Sequence, residues 1–266
     1  MSYGQQNLDY LVLARFLGST SLGYYTLAYR LIAFPQVRIS QVVSRVTFSA
    51  FAAIQADLPR LRAAYFQTVS AIALLAFPLM AGIGLLADPG VLLLYGEDKA
   101  LTVLAVQILA VGGAARSVGS PAGLVYLALG RTGLALAWTF GAGVVVLAGI
   151  LVGVAHGLPG VALAVSLTGV GLTVVSQFVV NRLIRSGFRD FWDSMRAALL
   201  GVAITAGSTV LVFRLVSVSD LSALGALAGA GGILYLLCVR RLSPEIWTAV
   251  IVALKRTEQD PQVTGR

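Results

Sequence analysis

GYYTLAYRLIAFPQVRISQVVSRVTFSAF, residues Gly23–Phe51, decides the fold. It is long and apolar enough to read as a helix crossing a membrane, yet Arg30, Arg38 and Arg45 stand inside it. A charged residue at membrane depth is costly, so it normally faces a wet cavity, a partner or an anionic ligand. Projected at about 100° per residue, Arg30, Gln41, Arg45 and Arg38 fall within an arc of about 80°, in a stripe about 22 Å long. Pro35 lies between Arg30 and the others and predicts a kink there. Guanidinium forks match phosphate oxygens bidentately and stay charged at any relevant pH. The stripe therefore has the chemistry to hold a diphosphate group and pass it along. Two positions admit other readings. Arg45, near the helix end, can snorkel to headgroups. Arg30 can instead pair with Asp9 or Asp88.

Composition agrees with a membrane setting. Of 266 residues, 58% are hydrophobic and only 11% charged, against roughly 25% charged in soluble domains. Mean hydropathy is +0.89. A water-soluble fold would have to expose much of this surface, so the expected class is an all-α, polytopic membrane bundle. The net charge of +8 does not read as a nucleic-acid interface. The basic residues sit at segment ends or inside segments, where loop topology and anionic lipids account for them.

Working outward, the pattern predicts seven full spans: Gly23–Phe51, Leu61–Leu86, Leu101–Leu129, Gly133–Ala155, Val161–Ile184, Ala197–Val216 and Leu221–Val239. Val91–Tyr95 reads as a short interfacial piece. Met1–Phe16, solidly apolar only from Tyr10, reaches about 24 Å as a helix. That is short of the roughly 30 Å hydrocarbon core, so it reads as the second half of a span. The expectation is a chain whose first helix is truncated. Three parts are expected: residues 1–185 as a helical lobe, 186–243 as two further spans, and 244–266 as an interfacial helix (Pro244–Lys255) with a polar tail. Ser186–Arg196 reads as the linker between the first two. Gly225 and Gly229 form a GxxxG pair in the last span, which permits close packing but is also common background in a chain with 29 glycines.

Loop charges predict the orientation. The side that follows Gly23–Phe51 would hold Arg60, Arg62, Arg131, Arg182, Arg185, Arg189, Arg196, Arg240, Arg241, Lys255 and Arg256. The other side would hold Lys99 and Arg214. Eleven against two is a positive-inside bias that puts the C-terminus in the cytoplasm.

Arg116 is a further candidate. It lies mid-span beside Ser117, Gly119, Ser120 and Pro121, a run that should loosen the helix and free backbone carbonyls. Broken helices at membrane depth are tolerated where they line a cavity, so Arg116 reads as a substrate contact. The alternative is an arginine capping the carbonyls of its own kink. Asn7, Asp9 and Arg15 cluster at the chain start, and an intramembrane carboxylate such as Asp9 can carry a proton or bind a cation. His156, the single histidine, sits in the loop HGLPG with no catalytic neighbour. Cys238, the single cysteine, reads as a packing residue. No carboxylate pair, CxxC, P-loop or GxGxxG is present, so no cofactor, metal or catalytic role is expected.

Three stretches carry a resemblance. NLDYLVLARFLGSTSLGYYTLAYRLIAFP (Asn7–Pro35) holds an N-x-D, an arginine before F-L-G, an L-G-Y-Y turn and an A-Y-x-L helix. Phe48–Glu97 and Gln107–Arg131 carry the helices that follow. These stretches resemble the polysaccharide-export (Wzx-like) flippases of the multidrug/oligosaccharidyl-lipid/polysaccharide superfamily, with Ala14 in place of the family's usual glycine. The resemblance is good over Asn7–Arg131 and mostly compositional beyond. It implies the second six-helix lobe of a two-lobe transporter plus two extra helices, with the N-terminal lobe missing. It also implies a bacterial inner-membrane setting, and movement of an undecaprenyl-diphosphate-linked oligosaccharide between leaflets by alternating access. Arg30, Arg38 and Arg116 would line the cavity face, and the chain alone would be inactive. A drug or cation exporter of the same superfamily is disfavoured by charge repulsion. A membrane glycan polymerase or ligase is disfavoured by short outer loops nearly free of acids and bases.

Overall fold

Inside hydrocarbon a backbone must satisfy its own N–H and C=O groups, and among the described residues this chain does so with helices alone. A computed structural model of the protein describes residues 3–95, 100–215 and 221–242. The helices are α1 (Tyr3–Ala53), α2 (Leu58–Leu85), α3 (Ala87–Tyr95), α4 (Ala100–Gly119), α5 (Ala122–Ala128), α6 (Thr132–Val154), α7 (Gly157–Ile184), α8 (Phe188–Leu215) and α9 (Leu221–Leu242). Leu58–Leu85, Ala100–Ala128, Thr132–Val154 and Gly157–Ile184 are long and apolar enough to cross a membrane. Gly23–Phe51 is helical throughout but is not among those four, because arginines and glutamines interrupt its apolar run. The interfacial segment expected at 244–266 lies outside the described residues.

Local chemistry sets the helix ends. Asp57 caps α2 by accepting the Arg60 backbone N–H at 3.1 Å, with Pro59 in the first turn. Gly130, at φ 68°, closes α5 in a Schellman-type turn, where the Arg131 N–H reaches the Tyr126 carbonyl at 2.8 Å. The loosening expected around Arg116 is real: α4 stops at Gly119 and α5 starts after Pro121.

Two expectations are corrected. The helix runs unbroken through Leu22–Tyr25, so no turn forms at L-G-Y-Y. The break lies at Gly18 (φ 78°, ψ 174°), and Pro35 sits in backbone that stays helical. Ser186–Arg196 is not an extended linker either. Helix α8 begins at Phe188, and the connection is Arg185–Gly187.

Helix α4 holds the centre, packing on α7, α2 and α1. Its seam with α7 repeats after seven residues. Ser166 Oγ donates to the Ile108 carbonyl at 2.8 Å, and Thr173 Oγ1 donates to the Ala115 carbonyl at 3.1 Å. Gly112 and Gly119, also seven apart, lie opposite these hydroxyls. A β-carbon at Gly112 would stand 2.7 Å from the Ser166 Cα, and one at Gly119 would stand 2.9 Å from Thr173 Oγ1. Both numbers rise together along the two helices, so α4 and α7 run parallel. Small residues and interhelical hydroxyl bonds are how helices associate where lipid removes the hydrophobic drive.

The core has two halves. One gathers Tyr25, Ile32, Met80, Leu109, Ile150 and Val161. The other gathers Phe51, Tyr65, Val118, Tyr126, Val180 and Phe191. Helix α9 joins through Tyr235, which packs on Gly201 of α8 and donates its hydroxyl to the Leu74 carbonyl at 2.9 Å. The GxxxG reading fares worse at its described glycine, because a β-carbon at Gly229 would meet open space.

The seam yields a stability prediction. Gly112→Val should destabilise the protein by about 1–3 kcal/mol through overpacking. Gly141→Val on α6, where a β-carbon meets nothing, should change it little. Thermal unfolding of both variants in detergent checks the contrast.

Candidate functional site

Helix α1 has one packed face and one free face. Tyr25, Ala28 and Ile32 are buried against one half of the core, and Ile39 and Val43 pack against the other half. Arg30, Phe34, Val37, Arg38 and Gln41 are all exposed on the other side. Because these residues span the junction of the two core halves, they sit midway through the lobe. The helical phase expected for Arg30, Arg38 and Gln41 is therefore realised. The side chains of Arg45, Asn7 and Asp9 lie outside the described residues.

Along this face Arg30, Phe34 and Arg38 follow one another at intervals of four, covering about 12 Å. The Arg38 guanidinium carbon lies 5.4 Å from the centre of the Phe34 ring, a cation–π contact. Phe34 is 67% exposed. It was not among the candidates from sequence, although its i, i+4 spacing from both arginines is legible there. Arg30 and Arg38 form no ion pair among the described residues, and Asp88 is not bonded to Arg30. The Arg30–Asp88 alternative therefore does not form.

Helix α6 shows what a lipid-facing surface of this protein looks like. It carries no charged residue between Thr132 and Val154, and it exposes Leu136, Phe140, Val144 and Val152. Helix α1 instead exposes the guanidiniums of Arg30 and Arg38. The two free faces of one bundle thus differ in kind: α6 suits acyl tails, whereas α1 suits water and anions.

Arg116 is placed elsewhere. It points at α7, where its Nη1 donates to the Val165 carbonyl at 3.3 Å. Its stem lies across Gly169, so that a β-carbon there would stand 3.2 Å from Arg116 Cγ. The residue is half-buried between the two hydroxyl rungs of the α4–α7 seam. It caps a carbonyl of the neighbouring helix, not of its own kink, and it does not join the α1 stripe.

Two further features frame the site. Tyr65 donates its hydroxyl to Gln177 Oε1 at 2.6 Å, and Gln177 Nε2 donates to Asn181 Oδ1 at 2.7 Å. This buried chain ties α2 to α7, and every polar atom named in it is partnered. An apolar cleft of about 410 Å³ opens between α1, α2 and the last helix pair, lined by Leu31, Pro78, Leu86, Thr205, Gly232 and Tyr235 among others.

The described residues form a helical bundle with membrane-length apolar helices and a cationic face left free on one helix. A family model described as polysaccharide biosynthesis protein matches residues 1–101. The chain is 32% identical over 193 residues to lipopolysaccharide biosynthesis protein WzxC of Escherichia coli K12, covering 72% of this chain and 39% of WzxC. It is 33% identical over 135 residues to teichuronic acid biosynthesis protein TuaB of Bacillus subtilis 168, covering 51% of this chain and 28% of TuaB. Its fold matches lipid II flippase MurJ in an inward closed conformation with TM-score 0.71 at 18% identity, over 91% of this chain and 52% of MurJ. The chain thus spans about half or less of the length of the proteins it matches. Over these stretches it is similar to proteins of polysaccharide biosynthesis.

The contrast between arginines is testable. Arg116→Met should cost about 1–2 kcal/mol of stability, through the lost carbonyl bond and stem packing. Arg38→Gln, on a free face, should cost less than about 0.5 kcal/mol. Thermal unfolding in detergent separates the two.

Proposed function

We propose that this chain forms the cationic wall of a pathway that moves a lipid-linked, diphosphate-bearing oligosaccharide across the membrane for polysaccharide assembly. The observation that carries the reading is the ladder of Arg30, Phe34 and Arg38 on the free face of α1. Guanidiniums at successive turns offer a diphosphate overlapping sites, so that a new contact forms before the old one is lost. The exposed Phe34 ring supplies a face on which a sugar can stack. The apolar cleft beside Leu31 has room for part of a polyprenyl tail, keeping the tail in an oily path while the headgroup follows α1. Names of the relatives point the same way, toward polysaccharide and lipid-linked precursors.

On this reading a second lobe faces the α1 stripe and completes the cavity. Rocking of the two lobes then opens it to either side in turn. The cationic surface repels cationic drugs, so the anionic precursor is the favoured cargo. On the same reading Arg45 and Gln41 extend the wall toward the cytoplasm, and Asp9, with Asn7, is the proposed group for coupling transport to an ion. The arginine bias of the loops sets the C-terminus in the cytoplasm.

In cells whose surface polymer depends on this gene product, Arg30→Ala with Arg38→Ala should cut export at least about tenfold, the scale of one lost charge-assisted contact. Membrane levels of the protein should stay unchanged. Arg38→Lys should recover part of the export, because charge survives while the fork is lost. Normal surface polymer in the double alanine variant, at normal protein levels, removes the cationic wall from the mechanism.

A further inference from the structure

Six arginines crowd the corner made by the start of α2, the end of α7 and the start of α8: Arg60, Arg62, Arg182, Arg185, Arg189 and Arg196. Three carboxylates lie among them, and each takes one arginine. Arg60 pairs with Asp57 at 3.3 Å, Arg62 with Asp190, and Arg189 with Asp193 at 3.8 Å. Arg182, Arg185 and Arg196 are exposed and form no ion pair among the described residues. Six guanidiniums less three carboxylates leaves a surplus of +3 at one corner of the bundle.

The surplus coincides with an aromatic girdle. Along α7 the exposed stripe reads Leu163, Leu167, Val174, Phe178 and then Arg182. Along α8 it reads, from the deep end outward, Ile204, Leu200, Arg196, Trp192 and Phe188. The two stripes meet where Phe178 stacks on Phe188, with centroids 5.5 Å apart and planes 22° apart. Phe178 is 56% exposed and Trp192 55% exposed. An apolar stripe ending in rings and cations is the arrangement that settles at headgroup level in a bilayer. Arg196, one turn deeper than Trp192, has a stem long enough to bring its guanidinium up to that level. The neighbouring cleft of about 730 Å³ is a poorer anion site, because Asp190 and Asp193 line it beside Arg62 and Arg185.

We propose that the outer face of the α7–α8 corner is a binding site for an anionic glycerophospholipid. Arg182, Arg185 and Arg196 take the phosphate, Trp192 and the Phe178–Phe188 pair flank the glycerol, and the acyl chains lie along Leu167, Val174, Leu200 and Ile204. The site is independent of the transport reading, since none of its residues belongs to the α1 face. The carboxylate pairing gives the site its sign, by taking Arg60, Arg62 and Arg189 and leaving Arg182, Arg185 and Arg196 without an acidic partner among the described residues.

Trp192 is a built-in reporter. With Trp138→Phe and Trp247→Phe in the full chain, it becomes the sole tryptophan in phosphatidylcholine nanodiscs. Phosphatidylglycerol with brominated chains should quench it about twofold more than brominated phosphatidylcholine at equal mole fraction. Arg182→Gln with Arg196→Gln should abolish that preference and leave quenching by brominated phosphatidylcholine unchanged. The paired lysine variant, which keeps the charge, should retain it. Soluble glycerol phosphate should not compete, which assigns the preference to a membrane-embedded lipid. Equal quenching by both lipids in the parent overturns the site. Preference surviving the double glutamine variant, or lost to soluble glycerol phosphate, overturns it as well.

Discussion

Helices in a bilayer gain little by hiding leucine from leucine, because the tails outside are equally apolar. This bundle therefore depends on the close approach of α4 and α7, where Gly112 and Gly119 leave room for Ser166 and Thr173 to reach backbone carbonyls on the facing helix. The rest is arranged around that seam. Helix α2 packs on α4 and carries α8, α8 carries α9, and α6 returns against α7. Helix α1 rests its inner face on α4 and α2. With its apolar side used in this way, its other side leaves Arg30 and Arg38 exposed with no ion pair among the described residues.

Arginine appears in this protein in distinct settings, and its surroundings decide its work. Arg116 is spent on the Val165 carbonyl and on packing over Gly169. Arg62 is held by Asp190. Among the described residues Arg38 meets the Phe34 ring and no carboxylate, so its donors are left for something that arrives from outside. Residue type alone does not distinguish these cases. What does is whether a carboxylate, a carbonyl or an aromatic face lies within reach.

Four of the seven spans read from the sequence are helices long and apolar enough to cross a membrane, and they were legible, like the shared phase of Arg30, Arg38 and Gln41, because both rest on properties of single residues: apolar length, and a phase of about 100° per residue. The broken helix after Arg116 was legible for the same reason, through Gly119 and Pro121. Other features depend on partners far along the chain. Arg116 looked like a cavity residue, since nothing in its own helix announces Gly169 fifty-three positions on. The tie of α9 to the rest through Tyr235, Gly201 and Leu74 likewise joins three helices, and nothing in the GxxxG pattern points to Gly201. Ser186–Arg196 looked like a linker because it is polar and aromatic, yet from Phe188 onward those residues form the first turns of α8. Composition at a bilayer boundary mimics that of a loop.

The break in α1 has a stereochemical side. Gly18 adopts φ 78° and ψ 174°, a region essentially closed to any residue bearing a β-carbon. Space is not the reason, for nothing stands within 4 Å of where that carbon would be. The requirement belongs to the backbone alone. One hydrogen in place of a methyl group sets the angle at which the leading helical arm, Tyr3–Leu17, enters the assembly. Leu17, just before it, packs against the core, so this achiral pivot sits beside an anchored side chain.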